Sequence, residues 1–256
     1  MIIVDAHPHI YSPDRERYPP ISEPLEPGEP AAVEDLRRRM NEVGVSRAVF
    51  IQTSTYYGWD NRYVMDSTRA NREWAIGVVT LDPDDPSHLD VLEDAVRTYG
   101  VRGLRGLKDR TGRIDTSAVR RLWTKARDLG IVVNCLVGDD LDRVPEIEKI
   151  ASDIDDLRVV IDHCLMLNAG RGREETLAAL KRLSALPNVY AKLTCGATGS
   201  SRVYPHEDMH GPLRRVIECF GPERCVWGSD FPNALWTKGT SYRQNLTLFT
   251  EELGLS

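Results

Sequence analysis

Short apolar runs rich in β-branched residues recur along the chain, and amphipathic segments separate them. The runs are continuous rather than alternating, which is typical of strands buried on both faces of a parallel sheet. Eight such runs predict strands at Ile2–Val4, Ala48–Gln52, Ile76–Leu81, Val101–Leu104, Ile131–Val137, Val159–Asp162, Val189–Leu193 and Cys225–Trp227.

The segments between the runs have helical periodicity. Their apolar residues recur at spacings of three and four, so that each segment carries one apolar stripe. The stripes consist of Leu89, Leu92, Val96 and Tyr99, then Val119, Leu122, Ala126 and Leu129, and finally Leu177, Leu180 and Leu183. Gly44, Gly100 and Gly130 each lie between a helical segment and the next strand, where a glycine in the left-handed region ends a helix. The pattern therefore predicts an alternation of strands and helices.

Eight strand–helix units in 256 residues favour a single α/β domain over residues 1–256, a closed (β/α)₈ TIM barrel. That fold typically takes about 250 residues as one unit. The alternative is an open doubly wound sheet, which usually has fewer strands and a glycine-rich nucleotide turn. The chain contains neither GxGxxG nor GxxxxGKS/T, which favours the barrel.

Two segments interrupt the alternation. Tyr18–Pro30 holds five of the 15 prolines and is predicted to be a long loop after the first strand. Gly196–Gly211 is predicted to be a loop after the seventh strand. In a barrel both would lie at the carboxyl end of the strands, where the chemistry of this fold takes place. Each is expected either to border a site or to be a solvated loop without a role.

Composition excludes several classes of function. The net charge is −6, so general attraction to nucleic acid or to anionic lipid is not expected. No apolar run approaches the roughly 20 residues of a membrane span, and Met1–Asp5 lacks the features of a signal peptide. We therefore expect a cytoplasmic protein whose partner is a small-molecule substrate, with self-association into a homo-oligomer left open. Reduced thiols are expected at the five cysteines, which form no CxxC pair: Cys135, Cys164, Cys195, Cys219 and Cys225.

Ionisable side chains occur at the ends of three predicted strands. The first strand is followed by Asp5-Ala6-His7-Pro8-His9, and because side chains alternate along a strand, His7 and His9 point the same way. His163 ends the sixth strand, and Asp230 follows the eighth. Carboxyl ends of barrel strands surround one cavity, so these four side chains are expected to converge there.

These motifs resemble those of the amidohydrolase superfamily, in particular its amidohydrolase-related (amidohydrolase 2) TIM-barrel hydrolases and decarboxylases. Asp5–His9, Asp162-His163 and Gly228–Pro232 carry the resemblance, which covers nearly the whole chain. It implies that Asp230 is the general base that orients or deprotonates the attacking water. It also implies that His7, His9 and His163 polarise a carbonyl, either directly or through a metal.

Two further stretches resemble the sugar lactonase and 2-pyrone-4,6-dicarboxylate lactonase group of that superfamily. They are Phe50–Asn61 and Val101–Gly106. The residues themselves suggest that Gln52, Tyr56, Arg105 and Lys192 ring the site as donors to a substrate carbonyl or carboxylate. The alternative is that Arg105 and Lys192 form structural ion pairs within the barrel.

Whether the site holds a metal stays open. Members of the superfamily that hold zinc tightly commonly add a histidine on the fifth strand, and Ile131–Val137 has none. Three protein ligands and a water still make a catalytic zinc site, so His7, His9 and Asp230 are the candidate ligands. The resemblance to lactonases that often work without metal leaves one divalent ion, such as zinc, or none.

The leading functional hypothesis is hydrolysis of a small lactone or related cyclic ester, carboxylated or polyhydroxylated. One alternative within the same fold is metal-dependent decarboxylation of an aromatic or muconate-like acid, which would need a tightly held ion. Another, from a different class, is a non-catalytic binding protein that kept the barrel and its polar pocket. Turnover of lactones, or its absence, separates these hypotheses.

Overall fold

Eight parallel strands lie side by side in chain order in the computed structural model, which describes residues 2–237 and 239–255. Ala6 N donates to the carbonyl of Trp227 at 3.0 Å, so that the last strand meets the first and the sheet forms a barrel. The strands are β1 (Val4–Asp5), β2 (Arg47–Ile51), β3 (Ala75–Thr80), β4 (Gly103–Gly106), β5 (Val132–Cys135), β6 (Val159–Ile161), β7 (Val189–Leu193) and β8 (Cys225–Trp227).

Helices follow the strands and cover the barrel. They are α1 (Val33–Val43), α2 (Ser54–Tyr57), α3 (Arg62–Ala70), α4 (His88–Tyr99), α5 (Ser117–Asp128), α6 (Val144–Asp153), α7 (His163–Met166), α8 (Arg173–Leu183), α9 (Cys195–Thr198), α10 (Glu207–Phe220), α11 (Asn233–Trp236) and α12 (Tyr242–Thr247). Short 3₁₀ turns occur at Leu141–Arg143 and Pro222–Arg224, and Leu248–Glu252 forms a π-helical turn. Among the residues that the structure describes, no helix has the length and apolar character needed to cross a lipid bilayer.

The predicted (β/α)₈ barrel is confirmed, and all eight strands occur where the apolar runs lie. Both ends of β4 are shifted, because the strand begins and ends two residues later than the run Val101–Leu104. Its two glycines fit a crowded place: a Cβ on Gly103 would lie 2.8 Å from Cγ2 of Val78, and one on Gly106 would lie 2.9 Å from Nε1 of Trp123. The later end of the strand, at Gly106, places Arg105 within it.

The predicted helix ends are also confirmed. Gly44, Gly100 and Gly130 have φ values of 77°, 79° and 67°, in the left-handed region that glycine adopts without a steric penalty. The apolar stripes face the barrel, and Leu92, Leu122 and Leu180 are buried. The hydrophobic core therefore lies between the strands and the surrounding helices. All five cysteines are free thiols.

The two predicted loops have different outcomes. Tyr18–Pro30 forms no helix or strand, and it is fastened over the carboxyl end of the barrel by backbone hydrogen bonds from Ile21 and Leu25 to α2. The prediction for Gly196–Gly211 is wrong at both ends, because α9 occupies Cys195–Thr198 and α10 begins at Glu207. Helix α10 packs through an apolar stripe that the sequence analysis overlooked. Its buried residues include Met209, Leu213, Val216 and Phe220.

Candidate active site

A cavity of about 330 Å³ opens at the carboxyl end of the strands. Its lining contains polar and ionisable side chains as well as apolar ones. The lining residues are His9, Thr53, Ser54, Thr55, Arg105, Leu136, His163, Met166, Thr198, Asp230 and Trp236.

The four ionisable residues expected to converge do lie together. Asp230 is at the centre: its Oδ1 lies 3.8 Å from Nε2 of His7 and 3.7 Å from Nε2 of His9, and its Oδ2 lies 3.9 Å from Nδ1 of His163. All four side chains are buried. One carboxylate is therefore within reach of three imidazoles.

Two of these residues sit on strained backbone. His163 has a φ of 52° and Asp230 a φ of 53°, and the three residues that follow His163 also have positive φ, so that α7 is a left-handed turn. Each non-glycine residue in this region costs roughly 1–2 kcal/mol, and such strain is found where the surrounding structure fixes a functional residue. Both residues follow a strand, β6 and β8 respectively, and both side chains line the cavity.

The ends of β1 and β8 are tied together beneath the site. Asp5 accepts hydrogen bonds from the backbone N–H of His7 at 3.2 Å and of Ser229 at 2.8 Å, and from the hydroxyl of Tyr242 at 2.8 Å. A Cβ on Gly228 would lie only 2.5 Å from Cβ of His7. The position of His7 thus depends on this close packing of two strand ends.

The three histidines are neutral near neutral pH. Burial lowers the pKa of His9 to about 3 and that of His163 to about 4, and it lowers the pKa of His7 well below its ordinary range. Nδ1 of His9 donates to the carbonyl of Ile51 at 2.8 Å, so Nε2 of the neutral ring presents its lone pair to the site. Nδ1 of His163 shares a hydrogen bond of 2.7 Å with the hydroxyl of Thr194.

The pKa of Asp230 is shifted towards neutrality. Burial raises its pKa to about 7, against the opposing effect of Arg105. A carboxylate whose pKa lies near the working pH can take a proton from water and release it again within one turnover.

Arg105 and Lys192 both pair with Asp162. Lys192 Nζ lies 2.8 Å from Oδ1 of Asp162, and Arg105 Nε lies 3.3 Å from Oδ2. Burial alone would raise the pKa of Asp162, but Lys192 and Arg105 outweigh it and hold that pKa below its usual range. Arg105 lines the cavity while making this pair, whereas Lys192 lies outside the lining.

Gln52 and Tyr56, the other two proposed substrate contacts, also lie outside the lining. The amide nitrogen of Gln52 donates to the carbonyls of Gly58 at 2.9 Å and Asp60 at 3.0 Å, which shapes the loop after α2. Tyr56 is buried against Tyr11, with the ring centroids 4.9 Å apart. Of the four residues expected to bind substrate, the structure brings only Arg105 to the cavity.

Sequence reasoning missed several residues of the site. Thr194 directly follows β7, and this position at a strand end was a signal that could have identified it. Leu136, Met166 and Trp236 form the apolar part of the cavity. Leu136 directly follows β5, so the same strand-end signal applies to it. No local motif identifies Met166 or Trp236, because both lie in short helical turns whose path depends on the packed barrel.

Some of these residues could hold one divalent metal ion. Each of His7, His163 and Asp230 offers a ligand atom, and these three atoms all lie within 4.8 Å of one another. Nε2 of His7 is buried without a hydrogen-bond partner among the described residues. This cluster contains His163 where the sequence analysis named His9, although Nε2 of His9 is also close to Asp230.

Known proteins with similar sequences act on lactones. The chain is 26% identical over 249 residues to a 4-sulfomuconolactone hydrolase of Rhizobium radiobacter, covering 90% of this chain and 75% of that protein. It is 27% identical over 256 residues to the D-galactarolactone isomerase of Agrobacterium fabrum, covering 98% and 83%.

The fold comparison agrees. A crystal structure from Pseudomonas putida that bears the name 2-pyrone-4,6-dicarboxylic acid hydrolase superposes with a TM-score of 0.80 at 25% identity, covering 100% of this chain and 91% of that one. The sequence model of the amidohydrolase family matches residues 4–254. With the histidines and the aspartate of the barrel mouth in place, this match shows that the chain belongs to the amidohydrolase family.

Proposed function

We propose that this protein hydrolyses a small lactone that carries a carboxylate. The observation that carries the proposal is the placement of Asp230 among three neutral histidines at the base of a cavity that Arg105 also lines. The names of the three relatives support it, because each refers to a lactone or a pyrone.

The reaction begins with a water held between Asp230 and His9. Both Asp230 Oδ1 and the unprotonated Nε2 of His9 are acceptors, and they lie 3.7 Å apart, so one water can donate to both. Asp230 removes one proton from this water as its oxygen attacks the lactone carbonyl. The ring C–O bond then breaks, and the proton on Asp230 passes to the departing ring oxygen. The product is the open hydroxy acid.

Positive charge and hydrogen-bond donors stabilise the developing oxyanion. Among the described residues of the lining, Arg105 supplies the positive charge, and His163 also lines the cavity. Preorganised donors of this kind contribute about 2.7–4 kcal/mol each to lowering the barrier of acyl transfer.

The substrate carboxylate is the second group that Arg105 can bind. The guanidinium of Arg105 has five N–H donors, and its Nε donates to Asp162. The remaining donors form a planar fork that matches a carboxylate. Leu136, Met166 and Trp236 then face the carbon skeleton of the ring.

His7, His163 and Asp230 would hold a divalent ion such as zinc if the enzyme uses one. A bound divalent ion polarises a carbonyl and lowers the pKa of water. The roles of Arg105 and of the apolar wall are the same with or without an ion.

The test is a panel of lactones in matched pairs, with and without a ring carboxylate, followed by proton NMR of the products. We expect hydroxy acids to form, faster from the carboxylated member of each pair, and the Asp230→Asn variant to be the inactive control. A rearranged lactone as product would instead indicate isomerisation. Binding without turnover would indicate a binding protein.

Decarboxylation is the weaker alternative, since the relatives reported above are named for lactones and a pyrone. Elemental analysis of protein purified without added metal addresses it directly. A tight, stoichiometric ion together with release of CO₂ from an aromatic or muconate-like acid would favour the decarboxylase.

A further inference from the structure

The ammonium group of Lys192 is enclosed by three acceptors. Only 1% of the residue is exposed. Its Nζ lies 2.8 Å from Oδ1 of Asp162 and 3.1 Å from Nδ1 of His7, and it donates to Oδ1 of Asn134. An ammonium has three N–H bonds and no acceptor; hydrogen bonds to His7 and Asn134 use two of them, and Asp162 forms an ion pair with the group. Lys192 lies outside the cavity lining, and these buried partners account for its charge.

The contact between Lys192 and His7 determines which ring nitrogen of His7 carries the proton. Because the ammonium can only donate, Nδ1 of His7 must be the unprotonated nitrogen. The rival partner for Nδ1 is Oδ1 of Asp162, which would require a proton on Nδ1. That oxygen lies 3.8 Å away, beyond hydrogen-bond distance. The single proton of the neutral ring is therefore on Nε2.

We infer that Lys192 is a positioning residue that holds His7 in the Nε2–H tautomer and directs this proton at Asp230. Nε2 of His7 is buried without a hydrogen-bond partner among the described residues, and Oδ1 of Asp230 lies 3.8 Å away. A buried donor without a partner is costly. The Asp230 carboxylate becomes the acceptor for this N–H when the site closes around substrate, since catalytic hydrogen bonds commonly shorten in the substrate complex.

The two histidines of the His-Pro-His motif then have opposite tautomers. His9 has its proton on Nδ1, which donates to the carbonyl of Ile51, and presents a lone pair at Nε2. His7 presents a proton at the equivalent atom. Asp230 lies between them, so that one histidine holds the base and the other helps to hold the water. A divalent ion at Nε2 of His7 would have to displace that proton.

The tautomers can be observed directly. Long-range ¹H–¹⁵N NMR of chelator-treated protein labelled at its six histidines separates protonated from unprotonated ring nitrogens near neutral pH. His7 and His9 are assigned by the signals lost in His7→Asn and His9→Asn. We expect a protonated Nε2 on His7 and a protonated Nδ1 on His9. A proton on Nδ1 of His7 would overturn the inference.

A second experiment tests whether Lys192 determines the tautomer of His7. Lys192→Met keeps an unbranched side chain that is one atom shorter and removes the donor, so His7 should shift to the Nδ1–H tautomer or to a mixture. We expect kcat to fall about 10²–10⁴-fold with little change in KM, the range seen when a catalytic histidine loses its proton-transfer role or its tautomer. Arg105→Met is the matched control, since it removes the other cation on Asp162 and should leave the His7 tautomer unchanged.

If the Lys192→Met variant retained both the Nε2–H tautomer of His7 and a normal kcat, Lys192 would be only a counter-ion for Asp162. The kcat measurement rests on the proposed lactone hydrolysis, whereas the tautomer of the wild-type protein does not. Failure of the proposed function would therefore leave the NMR result intact, and a variant that fails to fold would leave the wild-type spectrum decisive.

Discussion

The Oδ1 atom of Asp230 lies 3.7 Å from Nε2 of His9, and both side chains are buried at the base of the cavity. The backbone of Asp230 has a φ of 53°, which asparagine tolerates better than most residues. An Asp230→Asn substitution should therefore preserve the shape of the site while removing the ionisable carboxylate, the proposed base.

Asp230→Asn should lower kcat about 10²–10⁴-fold, the contribution typical of a general base. The thermal midpoint should be unchanged or slightly raised, because burial raises the pKa of Asp230 to about 7 and the ionised form is costly to bury. Steady-state kinetics and calorimetry on the same preparation measure both effects. Equal losses of stability and activity would show that Asp230 is structural.

Arg105→Lys should weaken the binding of carboxylated lactones. Lysine keeps the charge but cannot present two parallel N–H bonds to a carboxylate, so KM should rise more than kcat falls. Neutral lactones of the same ring size serve as the control and should be affected less. An equal effect on both classes, or turnover of neutral sugar lactones alone, would rule out the carboxylate contact.

The barrel and the central residues could be predicted from the sequence because their signals are local. Apolar runs mark the strands, and a residue just after a strand lies at the barrel mouth. For Lys192 the sequence left a structural ion pair open, and the structure shows one with Asp162. Its hydrogen bonds to His7 and Asn134 could not be predicted, because these residues lie 185 and 58 positions away along the chain. The register of strands around the barrel brings these residues together, and a single sequence does not display that register.

Gln52 and Tyr56 illustrate the same limit. Their residue types and their positions after β2 suggest donors to substrate. In the structure, however, Gln52 donates to the backbone of the loop after α2, and Tyr56 packs against Tyr11. A substrate contact for either residue stays a prediction. The choice between a site role and a scaffold role depends on side-chain direction at a strand end.

Glu146 gives a prediction about pH and stability. Its Oε2 accepts from the backbone N–H groups of Ile114 at 2.9 Å and Asp115 at 3.1 Å, which fastens the segment before α5 to α6. Burial raises the pKa of Glu146, but these N–H groups with Arg143 and Arg113 outweigh it and lower the pKa below its ordinary 4.5. The stabilisation is therefore present above pH 4.5 and is lost as the pH falls through the lower pKa of the folded state.

Glu146→Gln should reduce the free energy of unfolding by about 1–3 kcal/mol near neutral pH, because a charged acceptor of two backbone donors is replaced by a neutral one. The difference between variant and wild type should shrink in acid. Urea unfolding at a series of pH values measures it. A difference that stays constant from neutral pH to below 4.5 would contradict the assignment of this stabilisation to the ionised carboxylate.

Gly228 provides a test of how closely the site depends on the packing of two strand ends. A Cβ at this position would lie 2.5 Å from Cβ and 2.9 Å from the backbone N of His7, and 2.9 Å from Cγ2 of Thr194. These are rigid neighbours, so His7 must move if Gly228 becomes alanine. Misplacing a catalytic group by about 1 Å can cost about 10²-fold in rate.

Gly228→Ala should therefore lower kcat/KM about 10²-fold and destabilise the protein by about 1–3 kcal/mol, as overpacking does. Gly211→Ala is the matched control: it lies within α10, and apart from its chain neighbours and its own helix backbone no atom lies within 4 Å of the added Cβ, so it should keep full activity. Because Pro212 follows it and disfavours helical backbone at a preceding residue with a Cβ, we expect no stabilisation from this alanine. Full activity in Gly228→Ala would mean that His7 can shift without consequence, and the role of its position in the proposed mechanism would then have to be abandoned.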